Sequence, residues 1–392
     1  MRSDLTNLTD ALEGLHARGL HRRRRMLSGA QGVEVCCDGR PVLNFSSNDY
    51  LGLANHPDVV QAFVRGAERY GVGAGASHLV SGHSVAHHAL EEALADFVAC
   101  ERALLFSTGY MANLGTIGAL VGRGDWIFED RLNHASLLDG GLLSGARLKR
   151  YPHADVVGLR QLLLSCSEGT KLIVTDGVFS MDGDLAPLPA LIDAARESDA
   201  RLMIDDAHGL GVLGRNGAGT LEYFGLTRQV EPILVGTLGK ALGTFGAFVA
   251  GQHDLIEFLV QRARTYIYTT ALPPAVAEAT RVSLGLVKEQ SWRREKLHAL
   301  VVRFRDGARQ LDLDLSASPT PIQAVLLGDN ERALAVSEAL WEGGLWVSAI
   351  RPPTVPAGTA RLRVTFSAMH EDRHVDSLLD AFARLPKGLV TH

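Results

Sequence analysis

Cysteine is scarce in this sequence, and its four cysteines do not suggest a disulfide framework. Cys36 and Cys37 are adjacent, while Cys100 and Cys166 lack the spacing of metal ligands. Hydrophobic residues make up 46% of the 392-residue chain, which is enough for a core that needs no covalent cross-links. We therefore expect a reducing compartment, the cytoplasm.

Long apolar runs and an excess of positive charge are also absent. No stretch approaches the roughly 18 uncharged apolar residues of a membrane-spanning helix, and we expect no secretory signal. The net charge of -5 and the pI near 6.3 offer no basic field for nucleic acid or an anionic membrane. The largest local exception is the run Arg22–Arg25, which is usually a solvated helix face and alternatively a substrate contact.

Short apolar runs alternate with longer amphipathic stretches up to about residue 290. Each run is bounded by Gly, Asp or Ser, so we predict buried strands at 103–106, 172–175, 202–204, 233–235 and 247–250. Between the runs lie helical patterns, such as the recurrence of Leu90, Leu94, Phe97 and Val98. This alternation predicts an α/β fold with a mostly parallel sheet covered by helices on both faces.

The pattern changes near Ser291, where a charged helical stretch begins. Strand-like runs follow at 322–327, 345–350 and 362–366, with one helical face between the first two. The segment Pro352–Pro356 is a stiff loop, because each proline fixes φ and removes a donor. We predict an N-terminal segment at 1–50, a large α/β domain at 51–290 and a small α+β domain at 291–392.

Three loops that follow consecutive predicted strands carry residues suited to chemistry. They are Asp176–Asp184, Asp205–Gly209 and Thr237–Lys240. Open α/β sheets bind their ligands at the carboxyl ends of the strands, so we expect the three loops to meet at one edge. Together they supply acids, a histidine, small hydroxyls and a lysine.

The residue types in these loops fit a pyridine-based cofactor. Asp205 leaves a buried strand, where a carboxylate is costly unless it meets a cation such as a protonated ring nitrogen. His208 could reach an oxygen on the same ring. Burial favours the neutral amine of a lysine, the form that makes Schiff bases, and Lys240 follows a buried strand. Ser180 and Thr237 are short hydroxyls suited to phosphate or phenolate oxygens.

A strand-to-helix turn upstream is a candidate anion site. The segment Ser107–Asn113 follows the predicted strand 103–106, and the backbone N–H groups of Gly109 and Tyr110 could hold a phosphate at the helix start. His134 is a candidate to stack on a ring, although such a histidine taken alone is more often structural.

Several of these signals have plainer interpretations. The pair Asp205 and His208 could be half of a metal site, but no second pair of ligands has complementary spacing, so we expect no metal. Gly71–Gly75 resembles a nucleotide loop, yet it follows a helical stretch and lacks the full Rossmann spacing. A lysine after a strand is usually a surface lysine. We expect surface or capping roles for His83, His87 and His88.

Six segments in order resemble the α-oxoamine synthases. These are fold-type-I pyridoxal-phosphate enzymes that join an amino acid to an acyl thioester with loss of carbon dioxide. The segments are 44–53, 71–82, 176–184, 205–211, 237–243 and 351–363. The resemblance implies the fold-type-I architecture, with pyridoxal phosphate as cofactor and a homodimer with active sites at its interface.

The resemblance also implies roles for individual residues. Lys240 forms the Schiff base and later moves the Cα proton of the substrate. Asp205 pairs with the ring nitrogen, and His208 pairs with the 3-oxygen. The other cofactor positions are Gly109, Tyr110, His134, Ser180, Thr237, Thr269 and Thr270, the last two facing the phosphate of a neighbouring subunit. The substrate positions are Arg22, Asn48, His134, Thr354 and Arg363.

Within the family, the run Ala349–Thr359 most resembles the members that act in biotin synthesis. That resemblance implies L-alanine and a pimeloyl thioester, of coenzyme A or of a carrier protein, as substrates. Arg361 and Arg363 point to the same side of a strand, and we expect Arg363 to hold the amino-acid carboxylate. A surface ion pair is the alternative for this arginine. Alternatives for the whole chain are a family member that uses glycine or serine, a pyridoxal-phosphate aminotransferase, and a related protein without turnover.

Overall fold

The protein is described by a computed structural model that covers residues 7–166, 168–227 and 231–390. The first six and last two residues of the predicted terminal segments lie outside this description. The chain forms two compact units. The large unit contains Asn48–Ser180 and Asp184–Glu295, and the small unit contains residues 7–47, 181–183 and 296–390 of those described.

The strands of the described residues, in chain order, are β1 (Leu27–Ser28), β2 (Glu34–Cys37), β3 (Arg40–Asn44), β4 (Arg102–Phe106), β5 (Trp126–Asp130), β6 (Arg147–Tyr151), β7 (Lys171–Asp176), β8 (Arg201–Asp205), β9 (Ile233–Thr237), β10 (Ala247–Gly251), β11 (Ile322–Gly328), β12 (Leu345–Trp346), β13 (Ser348–Ile350) and β14 (Ala360–Thr365).

The α-helices of the same residues are α1 (Leu8–Ala17), α2 (Pro57–Tyr70), α3 (Val85–Val98), α4 (Gly109–Leu120), α5 (Ala135–Ser144), α6 (Val156–Leu164), α7 (Leu188–Glu197), α8 (Thr220–Tyr223), α9 (His253–Arg262), α10 (Arg264–Ile267), α11 (Pro274–Glu289), α12 (Trp292–Gln310), α13 (Asn330–Glu342), α14 (Asp372–Arg384) and α15 (Lys387–Val390). One π-helical segment, His78–Gly82, precedes α3.

The large unit is built on a seven-stranded sheet with the order β4-β10-β9-β8-β7-β5-β6. Strands β5 to β9 run parallel to their neighbours, and only β10 pairs antiparallel, with β4 and β9. The predicted mostly parallel sheet is therefore confirmed. Parallel strands end at the same edge, so the loops after β5, β7, β8 and β9 share one side of the unit.

Apolar side chains from the sheet and its helices form the core of the large unit. Phe106, Val174, Met203, Val235 and Val249 belong to one cluster of buried residues, and each of them is at most 2% exposed. Near-continuous apolar runs suit strands that are covered on both faces. Burial of these apolar residues fixes where each strand ends along the sheet. It therefore fixes the positions of the polar residues that follow each strand.

Two strands of this sheet, β5 and β6, were not predicted from the sequence. β5 ends in Glu129 and Asp130, and β6 contains Arg147, Lys149 and Arg150. β6 is the last strand of the sheet, and three of its five residues are partly or fully exposed charged side chains. An edge strand needs few apolar residues, so its sequence does not show the expected buried run.

The small unit draws on both ends of the chain. Its first sheet has the order β1-β2-β3-β12, in which β12 lies parallel to β3, and its second sheet is the antiparallel β11-β14-β13. The predicted strand 345–350 is divided between these two sheets as β12 and β13. Among the described residues, none of the helices combines the length and apolarity of a membrane span.

A glycine supports the loop that follows β8. Gly219 has φ near 96°, and a Cβ there would collide with the Asp206 carboxylate, which accepts a 2.7 Å hydrogen bond from the Thr220 amide. Burial raises the pKa of Asp206 to about 7. The turn therefore needs a residue that tolerates positive φ and has no side chain.

We predict that Gly219→Ala lowers the free energy of unfolding by roughly 2 to 4 kcal/mol, because it adds backbone strain and a collision. The control is Gly118→Ala in α4, where an added Cβ meets nothing within 4 Å and alanine favours the helix. Denaturant titration of both variants measures the difference. Equal stability of the two variants would contradict the assignment.

Candidate active site

The loops after β5, β7, β8 and β9 and the start of α4 enclose a cavity of about 210 Å³ in the large unit. Eight residues predicted from the sequence line it, namely Gly109, Tyr110, His134, Ser180, Asp205, His208, Thr237 and Lys240. Asn113, Ser136, Asp176 and Ala207 also line it and were not among the predicted site residues.

Lys240 and His208 meet at one side of this cavity. The Lys240 Nζ lies 2.8 Å from His208 Nε2, and His208 Nδ1 lies 2.7 Å from the hydroxyl of Tyr50. Tyr50 is fully buried and donates to Asn48 Oδ1 at 3.2 Å. Tyr50, which contacts Nδ1 of His208, therefore holds the imidazole ring so that Nε2 faces Lys240.

Asp205 lies at the end of β8 and is 6% exposed. Its Oδ1 accepts a hydrogen bond from the Ala207 amide at 3.0 Å, and its Oδ2 accepts one from Asn113 Nδ2 at 2.6 Å. The same Asn113 nitrogen donates to Ser136 Oγ at 2.8 Å, and this hydroxyl lies 2.8 Å from His134 Nδ1. A continuous chain of polar contacts therefore joins Asp205 to His134.

Asp176 is a second carboxylate beside Asp205. It accepts the backbone N–H of His134 at 2.8 Å, so it fixes the start of α5. Burial, together with the charge of Asp205, raises the pKa of Asp176 well above the ordinary value. Burial also lowers the pKa of His134, with Asp205 acting in the opposite direction and Lys240 in the same one. The His134 ring is therefore neutral near pH 7, which suits stacking on another ring.

The start of α4 supplies hydrogen-bond donors for an anion. The first N–H groups of a helix lack intrahelical partners, and α4 begins at Gly109 and Tyr110. Thr108 caps the helix by accepting the Met111 amide at 3.1 Å. The helix therefore points its positive end at the cavity.

The cavity fits pyridoxal phosphate. It offers an amine for an aldehyde, a buried carboxylate for a protonated ring nitrogen, a neutral imidazole to stack on the ring, and a helix N-terminus with two hydroxyls for a phosphate. Asn113 Oδ1 is buried and has no hydrogen-bond partner among the described residues. The donors and acceptors thus match the ends of one elongated, charged ligand.

The remaining predicted site residues are not among the residues that line this cavity. In the large unit, Thr270 forms an isolated β-bridge with Ser77, and its carbonyl accepts from Ser107 Oγ at 3.4 Å; Thr269 precedes it. In the small unit, Arg22 is exposed and Arg363 is 7% exposed on β14. Thr354, also in the small unit, donates its amide to the Arg351 carbonyl at 3.1 Å.

A family model described as aminotransferase class I and II matches residues 40–382. The chain belongs to this family. An 8-amino-7-oxononanoate synthase of Methylococcus capsulatus is 64% identical over 373 residues, covering 95% of this chain and 96% of that protein. A protein of the same name from Nitrosococcus oceani is 62% identical, covering 93% and 97%.

Two solved structures resemble the protein over nearly its whole length. The serine palmitoyltransferase of Sphingomonas wittichii has a TM-score of 0.92 at 34% identity and covers 97% of each chain. A serine palmitoyltransferase with pyridoxal phosphate as an internal aldimine has a TM-score of 0.90 at 32% identity and covers 98% of each chain. The predicted fold-type-I architecture and the resemblance to the α-oxoamine synthases are confirmed.

We predict that Asn113→Ala weakens the binding of pyridoxal phosphate by about ten-fold, because Asp205 loses a hydrogen bond to its charged oxygen. Equilibrium titration of the apoprotein with the cofactor measures the change. The control is Asn216→Ala, whose amide donates to Glu222 on an exposed loop. Unchanged affinity in both variants would show that Asn113 does not support Asp205.

Proposed function

We propose that the protein catalyses the 8-amino-7-oxononanoate synthase reaction. In this reaction L-alanine and a pimeloyl thioester, of coenzyme A or of a carrier protein, give 8-amino-7-oxononanoate, carbon dioxide and free thiol in biotin biosynthesis. Relatives of that name are 60–64% identical over 93–98% of the chain. The observation that carries the proposal is the meeting of Lys240, Asp205 and His134 in one cavity.

The cofactor of the reaction is pyridoxal phosphate, held in the cavity of the large unit. When bound, it supplies an electron sink for the Cα of the amino acid. Lys240 would hold it through its side-chain amine. Asp205 would keep the ring nitrogen protonated, and Asn113 keeps the Asp205 carboxylate in place through the 2.6 Å hydrogen bond.

Lys240 is also the residue that moves the Cα proton of alanine. Its amine lies beside His208 Nε2 at 2.8 Å, so a proton on the amine has a hydrogen-bond partner in the site. The N–H groups of Gly109 and Tyr110, with the hydroxyls of Ser180 and Thr237, hold the phosphate end. Fixing both ends of the cofactor keeps the Cα of alanine within reach of Lys240. Holding the reacting groups together in this way supplies much of the rate gain.

The proposed substrate contacts extend beyond the cofactor cavity. His134 stacks on the ring, while Asn48 and Arg363 bind the carboxylate of alanine. Arg22 and Thr354 bind the acyl donor, whose distal carboxylate suits an arginine. A cytoplasmic location accords with the four cysteines, all of which are described and free.

The protein also forms a homodimer under this proposal. On the large unit, apolar side chains of the segment Gly71–Gly82 and of Tyr268 are exposed, with Val72 86%, Val80 78% and Tyr268 70% exposed. Exposed apolar side chains of this kind suit a partner. The bridge between Ser77 and Thr270 joins this segment to the threonines proposed to reach the neighbouring phosphate.

Sedimentation of the holoenzyme tests the dimer. We expect a dimer, and we expect the double variant Val72→Glu with Val80→Glu to dissociate and to lose activity together. The charges would have to be buried without partners at the interface. A monomer with full activity would contradict this part of the proposal.

The absorption spectrum of the purified protein tests the central assignment. We expect a band near 420 nm, roughly where a protonated lysine imine absorbs, which is lost in Lys240→Ala and kept in Lys288→Ala on α11. L-alanine should alter the band, and pimeloyl-CoA should alter it further. A protein that stays colourless with added cofactor would refute the proposal.

The same measurement separates the sister reactions. The structural resemblance to serine palmitoyltransferases favours serine as the second candidate substrate, although those proteins are only 32–34% identical. A spectral response to serine or glycine in place of alanine would keep the cofactor site and change the substrate. Conversion to the pyridoxamine form with alanine alone would indicate an aminotransferase.

A further inference from the structure

His153 lies in the large unit between Asp130 and Asp184, two residues of that unit that adjoin the segments carrying His134 and Ser180, although it does not line the cavity itself. Its Nδ1 lies 3.0 and 3.2 Å from the two carboxylate oxygens of Asp130, and its Nε2 lies 2.7 Å from Asp184 Oδ2. Its ring meets the Phe179 ring edge to face, with 4.4 Å between centroids. The imidazole is therefore held on three sides by two different loops.

Both ring nitrogens face carboxylates, which only accept hydrogen bonds when ionised. Each nitrogen must therefore carry a proton for both contacts to be hydrogen bonds. Burial opposes the charge, but the hydrogen bonds to Asp130 and Asp184 raise the pKa of His153 to about 10. His153 is consequently an imidazolium ion near pH 7, and both of its hydrogen bonds are charge-assisted.

The first bridged loop carries His134. Asp130 ends β5, is 1% exposed, and accepts the Leu132 amide at 2.8 Å and the Ala154 amide at 2.7 Å. Its carbonyl accepts the Asn133 amide at 3.2 Å. Movement of Asp130 would therefore move the turn that delivers His134 to the cavity.

The second bridged loop carries Ser180. The Asp184 carbonyl accepts the Phe179 amide at 3.0 Å, and Val178 and Leu185 form an isolated β-bridge. These contacts close the loop immediately around Phe179 and Ser180. The position of Ser180 therefore depends on where Asp184 is held.

We propose that the imidazolium of His153 is a positioning residue that ties the His134 loop to the Ser180 loop and so fixes the two walls of the cofactor cavity. The proposal rests on the proposed cofactor site, because it requires both loops to contact pyridoxal phosphate. It assigns to His153 a contribution to cofactor retention without contact with the cofactor.

The test compares His153→Gln, His153→Arg and the control His298→Gln, an exposed histidine on α12. Glutamine carries no charge and has both of its N–H donors on one nitrogen, so it cannot place donors on opposite sides as the imidazolium does, whereas arginine is a cation with donors on separate nitrogens. We expect His153→Gln to bind pyridoxal phosphate about ten-fold more weakly, the effect of losing one charge-assisted hydrogen bond. His153→Arg should recover most of the affinity, and the control should match the parent protein.

Thermal unfolding of the apoprotein and holoenzyme separates positioning from general stability. Positioning predicts that His153→Gln loses more of the cofactor-dependent rise in Tm than of the apoprotein Tm. Equal losses in both forms, with unchanged cofactor affinity, would overturn the proposal while leaving the proposed function intact. Failure of the parent protein itself to bind pyridoxal phosphate would refute the proposed function instead.

If His153→Gln does not fold, the pH dependence of the parent protein answers the question. The ionisable groups that face His153 are Asp130 and Asp184, with Tyr151 next to Asp130; burial raises the pKa of that tyrosine far above its ordinary value. The folded pKa of His153 is raised, so its contribution is present below about pH 6.5 and is lost as pH rises through about 10. We expect the parent protein to lose pyridoxal phosphate faster near pH 10 than near pH 7, and His153→Arg to show no such increase. Identical rates of cofactor loss in the two proteins at every pH would overturn the proposal.

Discussion

Two buried carboxylates lie side by side in the central sheet of the large unit. Asp176 and Asp205 end adjacent parallel strands in register with each other and are 5% and 6% exposed. Like charges in a buried site repel each other strongly, and burial with the neighbouring Asp205 raises the pKa of Asp176. A sheet that ends in this way is stabilised by a cation at the same edge. Lys240 and a protonated ring nitrogen are the cations that the proposed function provides.

The polar residues around this pair are arranged to hold it. Asn113 donates to Asp205, the His134 amide donates to Asp176, and each comes from the first turns of a helix that follows a strand. Tyr50 holds His208 beside Lys240. Apart from Tyr50, these residues follow the carboxyl ends of strands in one sheet, so the parallel topology is what brings them together.

The sequence was sufficient to predict the central strands and eight of the residues that line the cavity. A buried strand needs a nearly continuous apolar run, and a loop directly after it must lie at the sheet edge, so strand and site were predicted together. β6 escaped prediction because an edge strand tolerates charges such as Arg147 and Lys149.

The residues that support the cavity were harder to predict. Asn113 lies within a helix and Tyr50 lies 158 positions before its partner His208, so only the folded chain shows their contacts. His153 follows β6, one of the two strands that were not predicted from the sequence. The small unit combines residues from both ends of the chain, and such long-range pairing leaves no local pattern.

The fate of the alanine carboxylate tests the central claim most directly. The holoenzyme would be incubated with L-alanine labelled at its carboxyl carbon and with pimeloyl-CoA, and the labelled carbon dioxide, free thiol and amino ketone would be measured. We expect one molecule of labelled carbon dioxide for each molecule of free thiol, with 8-amino-7-oxononanoate as the product. Release of pyruvate that keeps the label, without thiol, would contradict it.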